Sequence, residues 1–242
     1  MSRDGFFDEG IAETYDRDHG GTDPDLIRQT VECLIDLSEG GEILEFAVGT
    51  GRIAIPLAER GAVVKGIELS RAMVEKLRAK ETAAPMEVAI GDMTSVRVAG
   101  SFSLVFLVFN TIDNLTTQQA QVACFKNAAV HLRPGGRFLV ETQVPPLQKL
   151  AFGETRLAFA SDPRHFGVDV FDVATQSYRS NHVWMDGDRH THLSIPFRYA
   201  WPSELDLMAE LAGMTLEFRW ADWNRSPFDR LSGKHVSVWR KL

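Results

Sequence analysis

Apolar positions in the first part of the chain alternate between helical spacing and short runs typical of buried strands. Residues 23–38 have helical spacing, with Asp23 as a candidate cap, Pro24 in the first turn and glycines at 40 and 41 as the stop. Short apolar runs that predict strands follow at residues 43–47, 63–67, 86–90, 102–109 and 137–141. Helical segments separate most of them. This alternation predicts a parallel sheet with helices on both faces.

The capping signals place two of these helices. Ser70 precedes one, and the capping box Thr116-x-x-Gln119 precedes another that we expect to end at Leu132. A Pro-Gly-Gly turn at 134–136 then leads into the fifth strand.

The second part of the chain has a different pattern, in which strands cluster. Residues 168–174, 178–185 and 191–199 read as strands, the last two joined by a turn at Asp186-Gly187-Asp188. A helix at 202–212 and alternating strands at 214–221 and 234–240 follow. We expect an antiparallel insertion, after which the final strands return to the main sheet.

Charge and cysteine content narrow the functional class. The 242 residues include 26 Lys and Arg against 33 Asp and Glu, a net charge of −7, which argues against a partner such as duplex nucleic acid. Cys33 and Cys124 have neither zinc-ligand nor disulfide-framework spacing. The start of the chain lacks a signal-peptide pattern, and the apolar run 104–109 is too short to span a membrane. We therefore expect a cytoplasmic protein without a membrane partner.

The segment after the first strand carries the clearest chemical signal. Glu45 is followed by Gly49 and Gly51, where the backbone can approach a ligand closely and the next helix offers free N–H groups. Glu68, at the end of the second strand, suits a pair of ribose hydroxyls. The pattern predicts a nucleoside-bearing cofactor; the alternative is a tight strand-to-helix turn without a ligand.

Several features bear on which cofactor this is. Gly49-x-Gly51-x-x-Ala54 also satisfies the loose dinucleotide pattern. However, the anionic Glu45 suits a cationic ligand better than a pyrophosphate. A second acidic acceptor, Asp92, follows the third strand beside Met93.

With these motifs, residues 10–141 resemble the class I S-adenosylmethionine-dependent methyltransferases. The family's first motif reads acidic-x-Gly-x-Gly-x-Gly, and Ala47 stands here in place of the first glycine. The resemblance implies a Rossmann-like α/β fold: a seven-stranded, mostly parallel sheet with an antiparallel last strand, helices on both faces, and here an added antiparallel β insertion. It also implies three functional parts, which are an N-terminal helical lid (1–22), a cofactor-binding core (23–145 and 201–242) and an insertion over the acceptor site (146–200).

The resemblance also assigns residues to the cofactor. The first motif, through Glu45, Ala47, Gly49, Thr50 and Gly51, would contact the methionine portion. Glu68 would bind the ribose and Leu69 would pack on the adenine, whose amino edge Asp92 and Met93 would frame. Tyr15 would close over the methionine portion. Tyr15 could equally fix an N-terminal helix, and Met93 could simply fill the core.

The candidates for chemistry and acceptor binding lie further along the chain. Asn110 would bind the cofactor or position an acceptor, and Asp113 would act as a base; the alternatives are a loop Asn and a turn or helix cap. The histidine spacing indicates no metal site. The acceptor-site candidates are His182, Arg198, Tyr199 and Trp223.

The resulting expectation is direct, in-line methyl transfer from S-adenosylmethionine to a nitrogen or oxygen of a small-molecule acceptor, with S-adenosylhomocysteine as product. An NAD-type oxidoreductase on the same glycine loop and a non-catalytic module that binds S-adenosylmethionine are the alternatives. Exposed edges of the insertion could mediate a homodimer.

Overall fold

A computed structural model describes residues 7, 9–18, 23–80 and 86–242 of the chain. Within these ranges the helices are α1 Glu9–Asp18, α2 Pro24–Ser38, α3 Ala54–Glu59, α4 Arg71–Lys80, α5 Gln118–His131 and α6 Pro202–Leu211. The strands are β1 Ile43–Phe46, β2 Val64–Glu68, β3 Val88–Ile90, β4 Phe102–Leu107, β5 Leu132–Gln143, β6 Arg156–Asp162, β7 His165–Asp172, β8 Ser177–Asp186, β9 Arg189–Arg198, β10 Met214–Trp220 and β11 Lys234–Lys241. None of the described helices has the length and apolar character needed to cross a membrane.

The main sheet of the described chain has seven strands in the order β10-β11-β5-β4-β1-β2-β3. β1 pairs in parallel with β2 on one side and β4 on the other, so the strand order reverses between β1 and β4. β11 runs antiparallel to both β5 and β10. The expected Rossmann-like fold is confirmed, and its reversal point lies at the carboxyl ends of β1 and β4, where open α/β sheets bind ligands.

Helices cover both faces of this sheet because its central strands are apolar on both sides. Every residue of β4 is buried, as the uninterrupted apolar run predicts. One face packs α5 and α6 around Phe125, Phe138 and Trp239, whose rings meet in edge-on contacts at 5.0 and 5.2 Å. The other face packs α2 and α3 around Leu34 and Phe106.

A second sheet has four antiparallel strands in the order β6-β7-β8-β9. The sequence predicted three of them and missed β6, where two alanines flank an irregularity in the pairing with β7 and weaken the strand signal. The predicted turn between β8 and β9 is confirmed, with Gly187 in the left-handed region at φ 57°.

Some helices and strands begin at residues other than those that the sequence predicts. Asp23 and Ser70 cap their helices as predicted, by accepting hydrogen bonds from Asp25 N at 2.9 Å and Met73 N at 3.2 Å. The cap of α5 is Thr117 rather than Thr116, because the Thr117 hydroxyl accepts from Ala120 N at 3.1 Å. β5 begins at Leu132 and bulges over 133–136, so the expected Pro-Gly-Gly turn lies inside the strand.

Candidate active site

The segment from Ala47 to Arg52 connects β1 to α3 and forms one wall of the site. Ala47, Gly49 and Gly51 all have left-handed backbones, at φ 52°, 56° and 82°. At Gly51 a side chain would also collide with Ile55, whose Cδ1 lies 2.8 Å from the position of a Cβ. At Ala47, which stands in place of the first glycine of the motif, this conformation strains the backbone of an L-residue.

Glu68 fixes this loop from the end of β2. Its Oε2 accepts from Gly49 N at 2.8 Å, and its Oε1 accepts from Ser70 N at 2.9 Å. The side chain is 6% exposed, and burial raises its pKa above the ordinary value. Leu69, directly after it, is 46% exposed, which is unusual for a leucine beside a buried strand end.

Arg52 brings a cation to the same wall, and the sequence analysis missed it. Its guanidinium lies 3.5 Å from the centroid of the Phe109 ring and 6.0 Å from that of Tyr15. The signal was a lone basic residue directly after Gly51. Glu45 lies nearby in β1, fully buried, and burial raises its pKa well above the ordinary value while Arg52 opposes that effect. The Oε2 atom of Glu45 has no hydrogen-bond partner among the described residues.

Helix α1 lies against the loop through Asp16, which the sequence analysis also missed. The Thr50 hydroxyl donates to Asp16 Oδ1 at 2.6 Å, and Lys80 pairs with the other oxygen while donating to Thr50 O at 3.0 Å. Burial opposes ionisation of Asp16, but the bonds from Lys80 and Thr50 outweigh it and lower its pKa. Thr50 thus holds α1, which carries Tyr15, over the loop. Residues 1–6, 8 and 19–22 of the expected lid lie outside the described residues.

The turn after β4 forms the neighbouring wall. Phe109 and Asn110 both have left-handed backbones, at φ 58° and 57°. Phe109 N donates to Glu141 Oε2 at 2.7 Å, and Asn110 Oδ1 accepts from Gln143 N at 2.6 Å. Two consecutive strained residues held by β5 are typical of a functional site.

A cavity of about 500 Å³ lies between these loops and the second sheet. Six of the expected residues line it: Tyr15, Ala47, Gly49, Glu68, Asn110 and His182. The second sheet contributes further lining residues: Phe159, Asp169, Tyr178, Ser180, Ile195 and Phe197. The cavity is in the volume range of small-molecule sites.

Asp113 is not on the cavity wall but directly behind it. It is 2% exposed, and its Oδ2 accepts from Tyr178 Oη at 3.1 Å and from Gln143 Nε2 at 3.3 Å. Both partners line the cavity. Burial raises the pKa of Asp113 to about 7. Asp113 is therefore linked to the cavity through Tyr178 and Gln143 rather than by its own side chain, because the helical turn Thr111–Asn114 places that side chain in the interior.

Three expected acceptor-site residues lie away from the cavity walls. Arg198 is buried and donates to Glu204 Oε1 at 2.7 Å, while Tyr199 packs against Phe171 and Trp201. Trp223 is buried in the core on the α2 face of the main sheet. Each of these residues contributes to packing or to a buried ion pair, so we do not assign them to the acceptor site.

The two cofactor candidates that follow β3 lie off the cavity walls as well. Met93 is buried in the core, the alternative raised from its sequence. Asp92 is exposed, and its Oδ1 accepts from Thr94 N at 2.7 Å in a turn. Both follow β3, two strands from the reversal point.

Comparison with known proteins decides the family. Residues 43–136 match the family model described as a methyltransferase domain. The structure of the CcbJ methyltransferase from Streptomyces caelestis superposes with a TM-score of 0.85, is 35% identical, and each chain covers 96% of the other. The chain belongs to the class I S-adenosylmethionine-dependent methyltransferases.

Curated relatives of this methyltransferase extend the comparison. The cypemycin N-terminal methyltransferase of a Streptomyces species is 27% identical over 179 residues, 73% of each chain. The dTDP-3-amino-3,6-dideoxy-alpha-D-glucopyranose N,N-dimethyltransferase of Streptomyces fradiae is 30% identical over 135 residues, 54% of this chain and 52% of the relative. The protein is thus an enzyme with S-adenosylmethionine as its cofactor, which sets aside the oxidoreductase and the non-catalytic module.

The walls around the glycine loop fit that cofactor chemically. The Arg52 guanidinium offers a partner for a carboxylate, and the Glu68 carboxylate has acceptor capacity for hydroxyl groups beyond its backbone hydrogen bonds. The Tyr15 ring on the same wall provides apolar surface, and Leu69 lies exposed directly after Glu68, outside the lining of the cavity.

Proposed function

We propose that this enzyme transfers a methyl group from S-adenosylmethionine to a nitrogen or oxygen of a small-molecule acceptor by in-line displacement. The observation that best supports this reaction is a single cavity that the two sides share. The glycine loop and Glu68 line one side of the cavity, and the second sheet lines the other. The cofactor supplies an activated methyl group on a sulfonium. The protein's task is to align the acceptor and exclude water.

On the cofactor side, we assign the ribose hydroxyls to Glu68 and the adenine face to Leu69, with Asp92 and Met93 near its amino edge as the family resemblance implies. The methionine portion would lie among Tyr15, Ala47, Gly49 and Arg52, close to Glu45 and Thr50. Arg52 is the new member of this set. Its side chain is held against Phe109, so its position needs little ordering when a carboxylate binds.

On the acceptor side, we assign the cover to the insertion at 146–200 and the lid to residues 1–22, with 23–145 and 201–242 as core. One curated relative is named as an N-terminal methyltransferase and the other as an N,N-dimethyltransferase of a dTDP-amino sugar, and the second name supports a small acceptor. Asn110 would position the acceptor or the cofactor's amino-acid end. A cytoplasmic location and a homodimer stay predictions.

A hydroxyl acceptor would require a base. Asp113 can serve only through the Tyr178 hydroxyl, which donates to it at 3.1 Å. A neutral amine acceptor has no such requirement before attack.

Calorimetric titration with S-adenosylmethionine, S-adenosylhomocysteine and NAD tests the cofactor assignment. We expect both sulfur nucleosides to bind to the wild type. Glu68→Ala should lower the affinity for each of them about tenfold or more, because hydrogen bonds to a charged group are lost. Glu59→Ala removes an exposed carboxylate from α3 and should leave binding unchanged. Binding of NAD alone, or equal affinities in both variants, would contradict the assignment. Thermal melts of both variants separate loss of binding from loss of folding.

A further inference from the structure

The inner face of the second sheet presents one polar row between aromatic rows. Alternate residues of a strand share a face, so Tyr178, Ser180 and His182 of β8 all point into the cavity they line. Asp169 of β7 pairs directly with Ser180, and Ile195 of β9 pairs with it from the other side. The polar row is therefore Asp169 and Ser180, bounded by an apolar side chain.

Asp169 has a buried oxygen that the protein does not use. Its Oδ1 is buried without a hydrogen-bond partner in the described part of the chain, while the Ser180 hydroxyl bonds to the same side chain. Leaving a buried acceptor unpaired costs free energy, so such atoms commonly await a ligand or water. Burial also raises the pKa of Asp169. A donor from the acceptor molecule would satisfy this oxygen.

Aromatic rings surround that carboxylate. Tyr178 stacks on Phe197 with ring centroids 5.0 Å apart, one row along the sheet. On the other side, the Phe159 ring covers Gly167, where a Cβ would lie 2.2 Å from Phe159 Cε2. The centroid of the Phe159 ring lies 5.1 Å from that of the His182 ring. Tyr178 also stacks on Phe171, so both of its faces are covered by neighbouring rings. The Phe159 ring is 45% exposed, and an open ring face attracts cations. A carboxylate among aromatic rings suits a group that carries or gains positive charge.

The same wall offers a path for a proton. His182 Nε2 lies 3.2 Å from Ser180 Oγ, and His182 Nδ1 lies 3.0 Å from His165 Nε2. The two imidazoles stack with Trp184 toward the far end of the sheet. His182 therefore connects the polar row with a second imidazole further from the cofactor loop.

We propose that Asp169 and Ser180, with the rings of Phe159, Tyr178 and Phe197, form the acceptor subsite, and that it takes a small-molecule amine. This inference rests on the proposed methyl transfer and names its acceptor class. An amine that arrives as ammonium gives one proton to His182, which frees the nitrogen lone pair. The nitrogen–carbon bond then forms as the carbon–sulfur bond breaks, and that electron pair stays on sulfur.

Asp169 acts on the charge that this step creates. Positive charge moves from the sulfonium to the acceptor nitrogen, so a carboxylate at the nitrogen stabilises the transition state and the methylammonium product. A hydroxyl acceptor gains no comparable benefit. Among the described cavity-lining residues of the second sheet, Asp169 carries the carboxyl group, so it discriminates between the two acceptor classes.

A matched pair of ligands tests the subsite without requiring knowledge of the natural acceptor. Cyclohexylamine and cyclohexanol are titrated by NMR into the protein saturated with S-adenosylhomocysteine. We expect the wild type to bind the amine. In Asp169→Asn the affinity for the amine should fall about 10- to 100-fold, because a charge-assisted hydrogen bond is lost. Binding of the alcohol should change little. Asp188→Asn, which makes the same charge change at an exposed turn of the same sheet, should match the wild type.

The outcomes separate this inference from the proposed function. If the wild type binds S-adenosylhomocysteine but not the amine, or if Asp169→Asn binds the amine equally well, the amine subsite is refuted and methyl transfer stands. If the wild type does not bind S-adenosylhomocysteine, the proposed function itself fails. Retained S-adenosylhomocysteine affinity in Asp169→Asn shows that the variant is folded.

Discussion

At the scale of single residues, the site is built from carboxyl groups in different surroundings. Glu68 is held by backbone N–H groups, including those of Gly49 and Ser70, and Asp113 by the side chains of Tyr178 and Gln143. Asp169 keeps one oxygen unpaired within the described chain. Burial raises the pKa of all three, so each is costly to ionise and is retained at a loss of stability.

Asp113 allows that loss to be measured. Because the folded state raises its pKa from 3.8 to about 7, its contribution to stability is greatest when it is protonated in both states and falls as the pH rises through that interval. Asp113→Asn keeps the shape and removes the titration. We expect the free energy of unfolding of the variant, relative to wild type, to rise by about 2–3 kcal/mol between pH 5 and 8.5 in urea titrations.

The control for this measurement is Glu59→Gln at an exposed position of α3. Its difference from wild type should stay flat across the same pH range. A flat difference for Asp113→Asn as well would mean that Asp113 is not a buried neutral acid.

At the scale of elements, α1 and the second sheet close the cavity from two sides. α1 is attached to the glycine loop mainly through Asp16, whose partners are Thr50 and Lys80. Since the Asp16 and Lys80 side chains are more than a third exposed, this ion pair contributes little to the free energy that holds α1 in place.

Asp16→Asn should loosen α1 without damaging the core. The hydrogen bond from Thr50 can persist, but the pairing with Lys80 loses its charge. We expect the affinity for S-adenosylmethionine to fall about two- to fivefold in calorimetry, with an unchanged melting temperature of the unliganded protein. Glu13→Gln, an exposed change on the same helix, is the matched control. Equal affinities of Asp16→Asn and Glu13→Gln for S-adenosylmethionine would show that the Asp16 contact does not contribute to cofactor binding.

Gly167 permits a test of the sheet side. Gly167→Ala would force the Phe159 ring out of its place over β7, because the new Cβ would lie 2.2 Å from that ring. We expect binding of cyclohexylamine to weaken about fivefold or more while S-adenosylmethionine binds as before, since lost aromatic contact removes cation–π attraction of about 1 kcal/mol. Gly233→Ala, at a position with open space around it and no left-handed backbone, is the control for glycine replacement. Unchanged amine binding would remove Phe159 from the subsite.

At the scale of the whole molecule, local patterns predicted the main sheet well. The apolar run of β4 and the caps at Asp23 and Ser70 are short-range signals, and the structure confirms them. β6 was missed because its alanines have little strand preference. The glycine loop and Glu68 could be placed at one strand edge because parallel strands end together.

The acceptor side was harder to predict because its residues meet only through long-range strand pairing. Asp169 and Ser180 are cross-strand partners, and Gly167 matters only through the Phe159 ring. Nothing in their local spacing indicates this. Arg198 and Trp223 had suggestive chemistry, but their burial depends on α6 and α2, which a local pattern cannot reveal.

The second sheet is continuous in the chain, from Arg156 to Arg198, whereas the cofactor side is assembled from several separate loops. A single recombination event across this stretch could therefore exchange acceptor preference while leaving cofactor binding intact. The exchanged piece would have to preserve its contacts with the core, among them those of Tyr178 with Asp113 and Gln143 and of Arg198 with Glu204 and Gln121. Enzymes of this architecture can thus diversify their acceptors by inheriting one block of sequence, rather than by accumulating scattered substitutions.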